Sequence, residues 1–218
     1  MKFFSSQTIA LLLCCALMGC ASTPKLTSED QASFNAFVAQ AKSVNPTSNS
    51  LRELKVDTTL PRRGTTAVSL QSGSQAFRFA SGASYVHLIQ IPENSTPYIL
   101  ALNMAGQAQY LVWLPSLLLL DAEFNELSRM ELKAENFQWA AGSTAIQDLK
   151  VPTSARYALL YSLPENYGKE IVLALDVGIA TSSSHHLVSP FGQVFIQAKQ
   201  NLFSQLPEQD LPGASVKE

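Results

Sequence analysis

The side chains that most often carry out catalysis are few in this sequence, and their spacing matches no familiar active site. The histidines are His87, His185 and His186, and no Gly-x-Ser-x-Gly segment is present to hold a serine nucleophile. The sequence also lacks a His-x-x-x-His pair, a phosphate-binding loop and a dinucleotide fingerprint. We therefore predict a protein that is not an enzyme and that uses no cofactor and no metal.

The three histidines are better explained as structural residues. His87 lies between Val86 and Leu88 in an apolar run typical of a strand, where we expect a hydrogen-bonded histidine. The polar residues 181–186, which end in the two adjacent histidines, predict a loop before the last strand. Neighbouring side chains on a strand point to opposite faces, so His185 and His186 could share a metal ion only in a loop.

Acidic side chains cluster once, after a long apolar run. The cluster comprises Asp121, Glu123, Glu126, Glu131 and Glu135. A glycosidase needs two carboxyl groups about 5–10 Å apart, one of them with a raised pKa. The cluster instead predicts a solvated hairpin, in which the carboxylate of Asp121 bonds to nearby backbone amides.

Aromatic side chains are the best candidates for ligand binding, because the apolar faces of sugars stack on aromatic rings. Trp and Tyr add a polar group to that apolar area, and we take Trp139, Tyr110 and Tyr98 as candidate ligand-binding residues. Aromatic side chains in strands are also common in cores, and Trp113, in an apolar run, is predicted to be core. A modest basic cluster, either a contact for anionic lipid headgroups or a solvated face, comprises Arg52, Lys55, Arg62 and Arg63.

Composition excludes several classes of protein. The chain has 218 residues, of which 46% are hydrophobic and 15% charged, and its formal net charge is -2. That apolar content excludes intrinsic disorder, in which too little surface is buried to offset chain entropy. Nucleic-acid binding needs a concentrated Lys/Arg face, so we predict no nucleic-acid partner.

The N-terminus carries a targeting segment. A charged residue and an apolar stretch precede Leu17, Met18, Gly19 and Cys20, a tetrapeptide that resembles the lipobox of bacterial lipoproteins. The resemblance implies removal of residues 1–19 as a lipoprotein signal peptide and lipidation of Cys20; the alternative is an ordinary secretory signal. Ala21 is not the Asp of inner-membrane retention, so we expect the outer membrane, with the chain facing the periplasm. The other two cysteines lie in the signal segment, so the mature chain would have no disulfide.

The pattern of the mature chain predicts a mainly β protein, an antiparallel β-sandwich preceded by a short amphipathic helix. We expect a lipid-anchored tether and helix in residues 20–52, the sandwich in 53–204 and a flexible tail in 205–218. Thr27 is the predicted cap of a helix over 28–44. Strands are expected over 54–58, 65–70, 77–79, 85–91, 98–104, 110–120, 134–140, 155–162 and 192–199, whereas 165–180 suits a strand or a helix.

Three segments resemble the maltose operon periplasmic protein (MalM) family. They are an apolar strand followed by Leu-Asp in 115–124, an Arg-Tyr strand in 155–161, and a His-containing element with a Gly and an apolar strand in 184–194. The resemblance covers about 77–200, and the lipobox is a departure from the family. It implies a non-enzymatic periplasmic accessory of maltose or maltodextrin uptake, and it transfers no catalytic residue.

Two functions follow from these expectations. The first is a lipid-anchored accessory protein of carbohydrate transport that binds glucans or assists a porin or transporter. The alternative is a structural or assembly lipoprotein of the cell envelope, which would act through protein–protein contacts of the helix over 28–44. Both make the membrane a partner through the lipid anchor.

Overall fold

A computed structural model of the chain describes residues 27–104, 111–131, 138–139, 145–176 and 181–199. Short 3₁₀ turns occupy Leu51–Glu53 and Pro164–Asn166. The helix and strands in these ranges are α1 (Ser28–Lys42), β1 (Thr58–Thr59), β2 (Thr65–Leu70), β3 (Gln75–Phe79), β4 (Gly82–Gln90), β5 (Tyr98–Met104), β6 (Leu111–Trp113), β7 (Pro115–Leu120), β8 (Glu126–Glu131), β9 (Gln138–Trp139), β10 (Ala145–Val151), β11 (Tyr157–Ser162), β12 (Glu170–Asp176), β13 (Thr181–Ser189) and β14 (Gly192–Lys199). The protein is mainly β, as the sequence predicts.

The strands form three sheets. Sheet 1 has the order β1-β4-β11-β7-β8, and β3 pairs with β4 beside β1. Sheet 2 has the order β2-β14-β5-β10-β9, and sheet 3 has the order β12-β13-β6. Most neighbours are antiparallel, but β1 pairs with β4 and β6 pairs with β13 in parallel. The predicted antiparallel sandwich is therefore confirmed, with two parallel pairs added to it.

The main hydrophobic core lies between sheets 1 and 2. Its inward-facing residues include Leu119 and Leu160 of sheet 1 and Leu102 and Ile196 of sheet 2, each at most 1% exposed. Full burial of such a side chain contributes about 1.5–3 kcal/mol. Apolar burial can therefore stabilise the sandwich without disulfide bonds.

Helix α1 closes one side of this core. The hydroxyl oxygen of Thr27 accepts the backbone N–H of Asp30 at 3.1 Å, which confirms the predicted cap. Phe34, Val38 and Ala41 lie on one face of the helix and are buried in the core. The apolar face of α1 thus packs against the sandwich. Among the described residues no helix has the length and apolar character needed to cross a membrane.

Sheet 1 is also buried on its outer face, where a second apolar cluster lies. Leu88, Leu118 and Leu159 are at most 2% exposed in it. The ring of Phe79 stacks on that of Tyr161 with centroids 4.3 Å apart. Strand β7 is consequently buried along its whole length, as expected for a central strand covered on both faces.

Residues 54–58 were expected to form a strand, and this expectation is wrong. Only Thr58 and Thr59 are in a strand there. The side-chain amide of Gln75 takes the place of a strand partner, because its Oε1 accepts the N–H of Lys55 at 2.8 Å and its Nε2 donates to the carbonyl of Lys55 at 2.7 Å. The alternation in the sequence therefore reflects burial of Leu54 and this side-chain clamp at Lys55. Backbone pairing begins only at Asp57, whose N–H donates to the carbonyl of Leu88 at 2.8 Å.

The expected single strand over 110–120 is two strands in different sheets. β6 belongs to sheet 3 and β7 to sheet 1, and they are separated at Leu114. Pro115, which has no N–H to donate, is the first residue of β7, a position that tolerates proline. Within the segment 165–180, which suited either element, Glu170–Asp176 forms β12, and residues 177–180 lie outside the described residues.

Candidate functional site

A groove opens at the end of the sandwich where β13 leads into β14, and we call it the end groove. Its volume is about 520 Å³, within the roughly 300–1,000 Å³ that small-molecule sites occupy. Its walls are formed by residues of α1, β2, β6 and β14 and of the turn at 189–191. The lining residues are Phe37, Ser69, Leu70, Gln71, Leu111, Ser189, Phe191, Gly192 and Gln193.

The turn that forms one wall of the end groove is held by its own hydrogen bonds. The hydroxyl of Ser189 donates to the carbonyl of Phe191 at 2.8 Å and accepts the N–H of Phe191 at 3.2 Å. The Phe191 ring then packs against Phe37 of α1 and against Tyr85, each with a centroid separation of 5.0 Å. This packing joins the helix to the strands and fixes the apolar floor of the groove.

The rim of the end groove carries amide and hydroxyl groups. Gln71, Gln193 and Ser69 are exposed, and the Nε2 of Gln193 donates to the hydroxyl of Ser69 at 3.2 Å. Among the described residues, none of those that line the groove is charged. An apolar floor beside uncharged hydrogen-bonding groups suits a neutral ligand with both apolar faces and hydroxyl groups, because no charge has to be desolvated.

A buried polar network supports the same wall from behind. The indole Nε1 of Trp113 donates to the hydroxyl of Ser162 at 2.6 Å, and that hydroxyl donates to the carbonyl of Pro190 at 3.0 Å. The hydroxyl of Ser84 donates to the carbonyl of Ser162 at 2.6 Å and lies 3.0 Å from the hydroxyl of Tyr167. Burial raises the pKa of Tyr167 to about 12, so this hydroxyl stays protonated. Trp113 is fully buried, and its predicted place in the core is confirmed.

Of the three candidate ligand-binding aromatics, only the side chain of Tyr98 is described, and it does not line the end groove. Tyr98 is only 3% exposed and lies in the main core, where burial raises its pKa to about 12. The backbone of Trp139 pairs with Ala145 in sheet 2, and its side chain lies outside the description. Tyr110 and Cys20 also lie outside the described residues, as do the other lipobox positions.

The histidines occupy structured strand positions. The Nε2 of His87 is 2.8 Å from the hydroxyl of Thr58, which confirms the expectation of a hydrogen-bonded strand histidine. Burial lowers the pKa of His87, and the nearby carboxylate of Asp57 opposes that shift.

The predicted loop at 181–186 is wrong. These residues pair along β12, from Thr181 opposite Asp176 to His186 opposite Ile171, so backbone hydrogen bonds hold a polar segment that periodicity could not identify. His185 and His186 therefore point to opposite faces, and the Nδ1 of His185 contacts the carboxylate of Glu170. Within the described ranges, no cluster of three or more His, Cys, Asp or Glu side chains could hold a metal ion.

The acidic cluster begins with the expected tight turn between β7 and β8. The Oδ1 of Asp121 accepts the N–H of Glu123 at 2.9 Å and that of Asn125 at 2.8 Å. The side-chain amide of Asn125 is the largest of the causes that lower the pKa of Asp121. Arg52 donates from Nε to the carbonyl of Glu123 at 3.1 Å, so this member of the basic cluster lies against the turn.

No family model and no curated protein matches the chain. Among solved structures, it is similar to the pre-peptidase C-terminal domain of a collagenase from Bacillus anthracis. The two are 10% identical, the match covers 67% of this chain and 99% of that domain, and the TM-score is 0.32. A likeness at this level leaves the function to be inferred from the residues of the chain itself.

Proposed function

We propose that this chain is a lipid-anchored, periplasm-facing accessory protein that binds maltodextrins or related glucans at the end groove and so assists carbohydrate uptake. It acts by binding and not as an enzyme. The observation that carries the proposal is the uncharged lining of the groove, an apolar floor with an amide and hydroxyl rim. The resemblance of 77–200 to the MalM family supplies the sugar class.

The chemistry of a glucan fits this lining. Each sugar ring has an apolar face that can cover the floor formed by Phe37, Phe191 and Leu111, and hydroxyl groups that can bond to amides. The side chains of Gln71 and Gln193 are exposed at the rim, so they can exchange water for sugar hydroxyls at little cost. One such hydrogen bond contributes about 1 kcal/mol.

Calorimetric titration of residues 21–218 with maltose and longer maltodextrins tests the binding step. We expect saturable binding that weakens about fivefold in Gln71→Ala and in Gln193→Ala, the loss of one hydrogen bond of about 1 kcal/mol. Gln90→Ala is the matched control, because Gln90 is an exposed glutamine of sheet 1. Absence of a saturable signal at millimolar sugar would refute glucan binding.

The lipid anchor has a separate test. Helix α1 begins at Ser28, eight residues after Cys20, so an extended tether would hold the domain within about 28 Å of the lipid at ~3.5 Å per residue. A Cys20→Ser chain should lose fatty-acid labelling and be released into the periplasm. Continued labelling would refute lipidation at Cys20, without bearing on the groove.

The alternative of an assembly lipoprotein depended on the helix face over 28–44. Phe34, Val38 and Ala41 are buried against the sandwich, so that apolar face is used within the domain. Crosslinking in intact cells distinguishes the two functions. A reproducible envelope partner that is lost when exposed residues of α1 are changed would favour assembly, and an unchanged partner such as a porin or transporter fits uptake.

A further inference from the structure

The solvent face of sheet 2 continues from the end groove along two paired strands. Alternate residues of a strand share one face, and β2 and β14 pair so that Ser69 lies opposite Gln193 and Thr65 opposite Gln197. Ser69 and Gln193 also line the end groove. The face, which we call the platform, is formed by Thr65, Ala67, Ser69, Gln193, Phe195 and Gln197.

Phe195 stands at the centre of the platform. It is half-buried, and it lies opposite Ala67 on β2 and Asn103 on β5. Ala67 is exposed and contributes only a methyl group, so the strand beside the ring offers no large side chain to cover it. Gln193 and Gln197 lie two residues to either side of Phe195 on the same strand. The arrangement is an aromatic ring with an amide side chain on either side of it along the strand.

The six residues of the platform are uncharged, and an ion pair lies beyond its far end. The Nζ of Lys199 on β14 lies 3.1 Å from the carboxylate of Asp148 on β10. Lys150 on β10 lies opposite the same Ile99 as Lys199 and adds an exposed cation beyond that pair, so the uncharged part of this face is the platform itself. It suits a neutral ligand that hydrogen-bonds through hydroxyl groups, the same chemistry as the end groove.

The length of the platform sets the size of that ligand. Gln197 lies four rises along β14 from Gln193, a distance of about 14 Å at ~3.4 Å per residue. This length exceeds that of one sugar ring. The platform starts at the end groove, because Gln193 belongs to both the platform and the groove.

We propose that the platform is a second glycan subsite, continuous with the end groove, which binds the extension of a linear neutral oligosaccharide. The ring of Phe195 contacts the apolar face of one sugar unit, and Gln197 hydrogen-bonds to the hydroxyl groups of the next. An oligosaccharide that is short enough to fit within the groove has no unit at either position. This inference rests on the proposed function of the groove, and it predicts that chain length decides affinity.

Calorimetry on the full lipidated chain in detergent, with maltotriose and maltoheptaose as probes, tests the platform. We expect maltoheptaose to bind about tenfold more tightly than maltotriose, equivalent to about 1.4 kcal/mol. Gln197→Ala should weaken maltoheptaose about fivefold and leave maltotriose unchanged. Phe195→Leu should do the same, with its folding checked by circular dichroism, whereas Gln90→Ala should change neither ligand.

Two results would overturn the platform while leaving the groove intact: equal affinities for the two probes, or an equal effect of Gln197→Ala on both. If neither oligosaccharide binds, the proposed function of the groove fails together with the platform. The three patterns are distinct, so each outcome identifies which statement is wrong.

Discussion

Replacement of Ser162 by alanine should destabilise the protein more than its small change in volume suggests. Ser162 is 2% exposed, and its single hydroxyl group makes hydrogen bonds with two buried neighbours. The hydroxyl accepts the indole N–H of Trp113 at 2.6 Å and donates to the carbonyl of Pro190 at 3.0 Å. The Ser162→Ala change removes both hydrogen bonds and leaves both partners in place.

The magnitude follows from the desolvation of those two partners. A buried polar group left without a hydrogen bond costs about 1–3 kcal/mol. Two such groups give a loss of about 2–6 kcal/mol, a large part of the roughly 5–15 kcal/mol that stabilises a typical domain. Ser84→Ala should cost only about 1 kcal/mol, because the carbonyl that Ser84 bonds still accepts the hydroxyl of Tyr167 at 3.3 Å.

Urea denaturation of residues 21–218, followed by tryptophan fluorescence and circular dichroism, measures these losses. The dependence of the unfolding free energy on urea should be unchanged, since the same surface is exposed in each variant. Ser69→Ala is the control at an exposed serine and should lie within about 0.5 kcal/mol of the unmodified chain. A Ser162→Ala loss no larger than that of Ser69→Ala would refute the proposed role of the network.

Three further changes have expected outcomes that the same denaturation assay measures. Gly168 has a φ of 78°, so Gly168→Ala should cost about 1–2 kcal/mol, whereas Gly73→Ala, into open space, should be nearly neutral. Thr27→Ala removes the side-chain cap of α1 and should cost about 1 kcal/mol; an unchanged free energy of unfolding would contradict the cap. Burial lowers the pKa of both His87 and His186, so the unfolded state binds more protons than the folded state below about pH 6.5. The free energy of unfolding should therefore fall as the pH falls below that value, by at most about 1.4 kcal/mol per pH unit for each histidine. A free energy of unfolding that stays constant between pH 7.5 and 5.5 would contradict this sign.

Strand positions were predictable where apolar periodicity and turn residues agree. β5 and β14 have the bounds expected from the sequence, and the turn before β2 contains Gly64 at a φ of 100°. Hydrophobic periodicity did not identify strands whose pairing depends on a partner strand rather than on their own apolar pattern. The polar segment 181–186 becomes a strand because β12 supplies its hydrogen bonds, and no local pattern reports such a partner.

The end groove could not be predicted from the sequence for a related reason. Phe37 and Phe191 are 154 positions apart, and each looks like an ordinary apolar residue until α1 packs beside the turn before β14. Sequence reasoning favoured Trp and Tyr because they combine apolar area with a polar group, whereas the polar groups that line the described part of the groove belong to separate Gln and Ser side chains. The Ser-Pro-Phe-Gly turn at 189–192 was the one available signal, and it indicates a shaped loop without indicating what the loop borders.

The position of α1 connects the proposed anchor to the proposed binding site. The tether from Cys20 to Ser28 spans at most about 28 Å, and the nine rises along α1 between Ser28 and Phe37 add ~14 Å at 1.5 Å each. Because Phe37 lines the end groove, a lipid at Cys20 would keep the groove within about 42 Å of the membrane. A glucan that enters through the outer membrane would then meet this site close to its point of entry. Lengthening the tether by a flexible insert after Cys20 should therefore leave the affinity for maltodextrin unchanged in solution and lower its uptake by cells, whereas unchanged uptake would show that distance from the membrane does not matter.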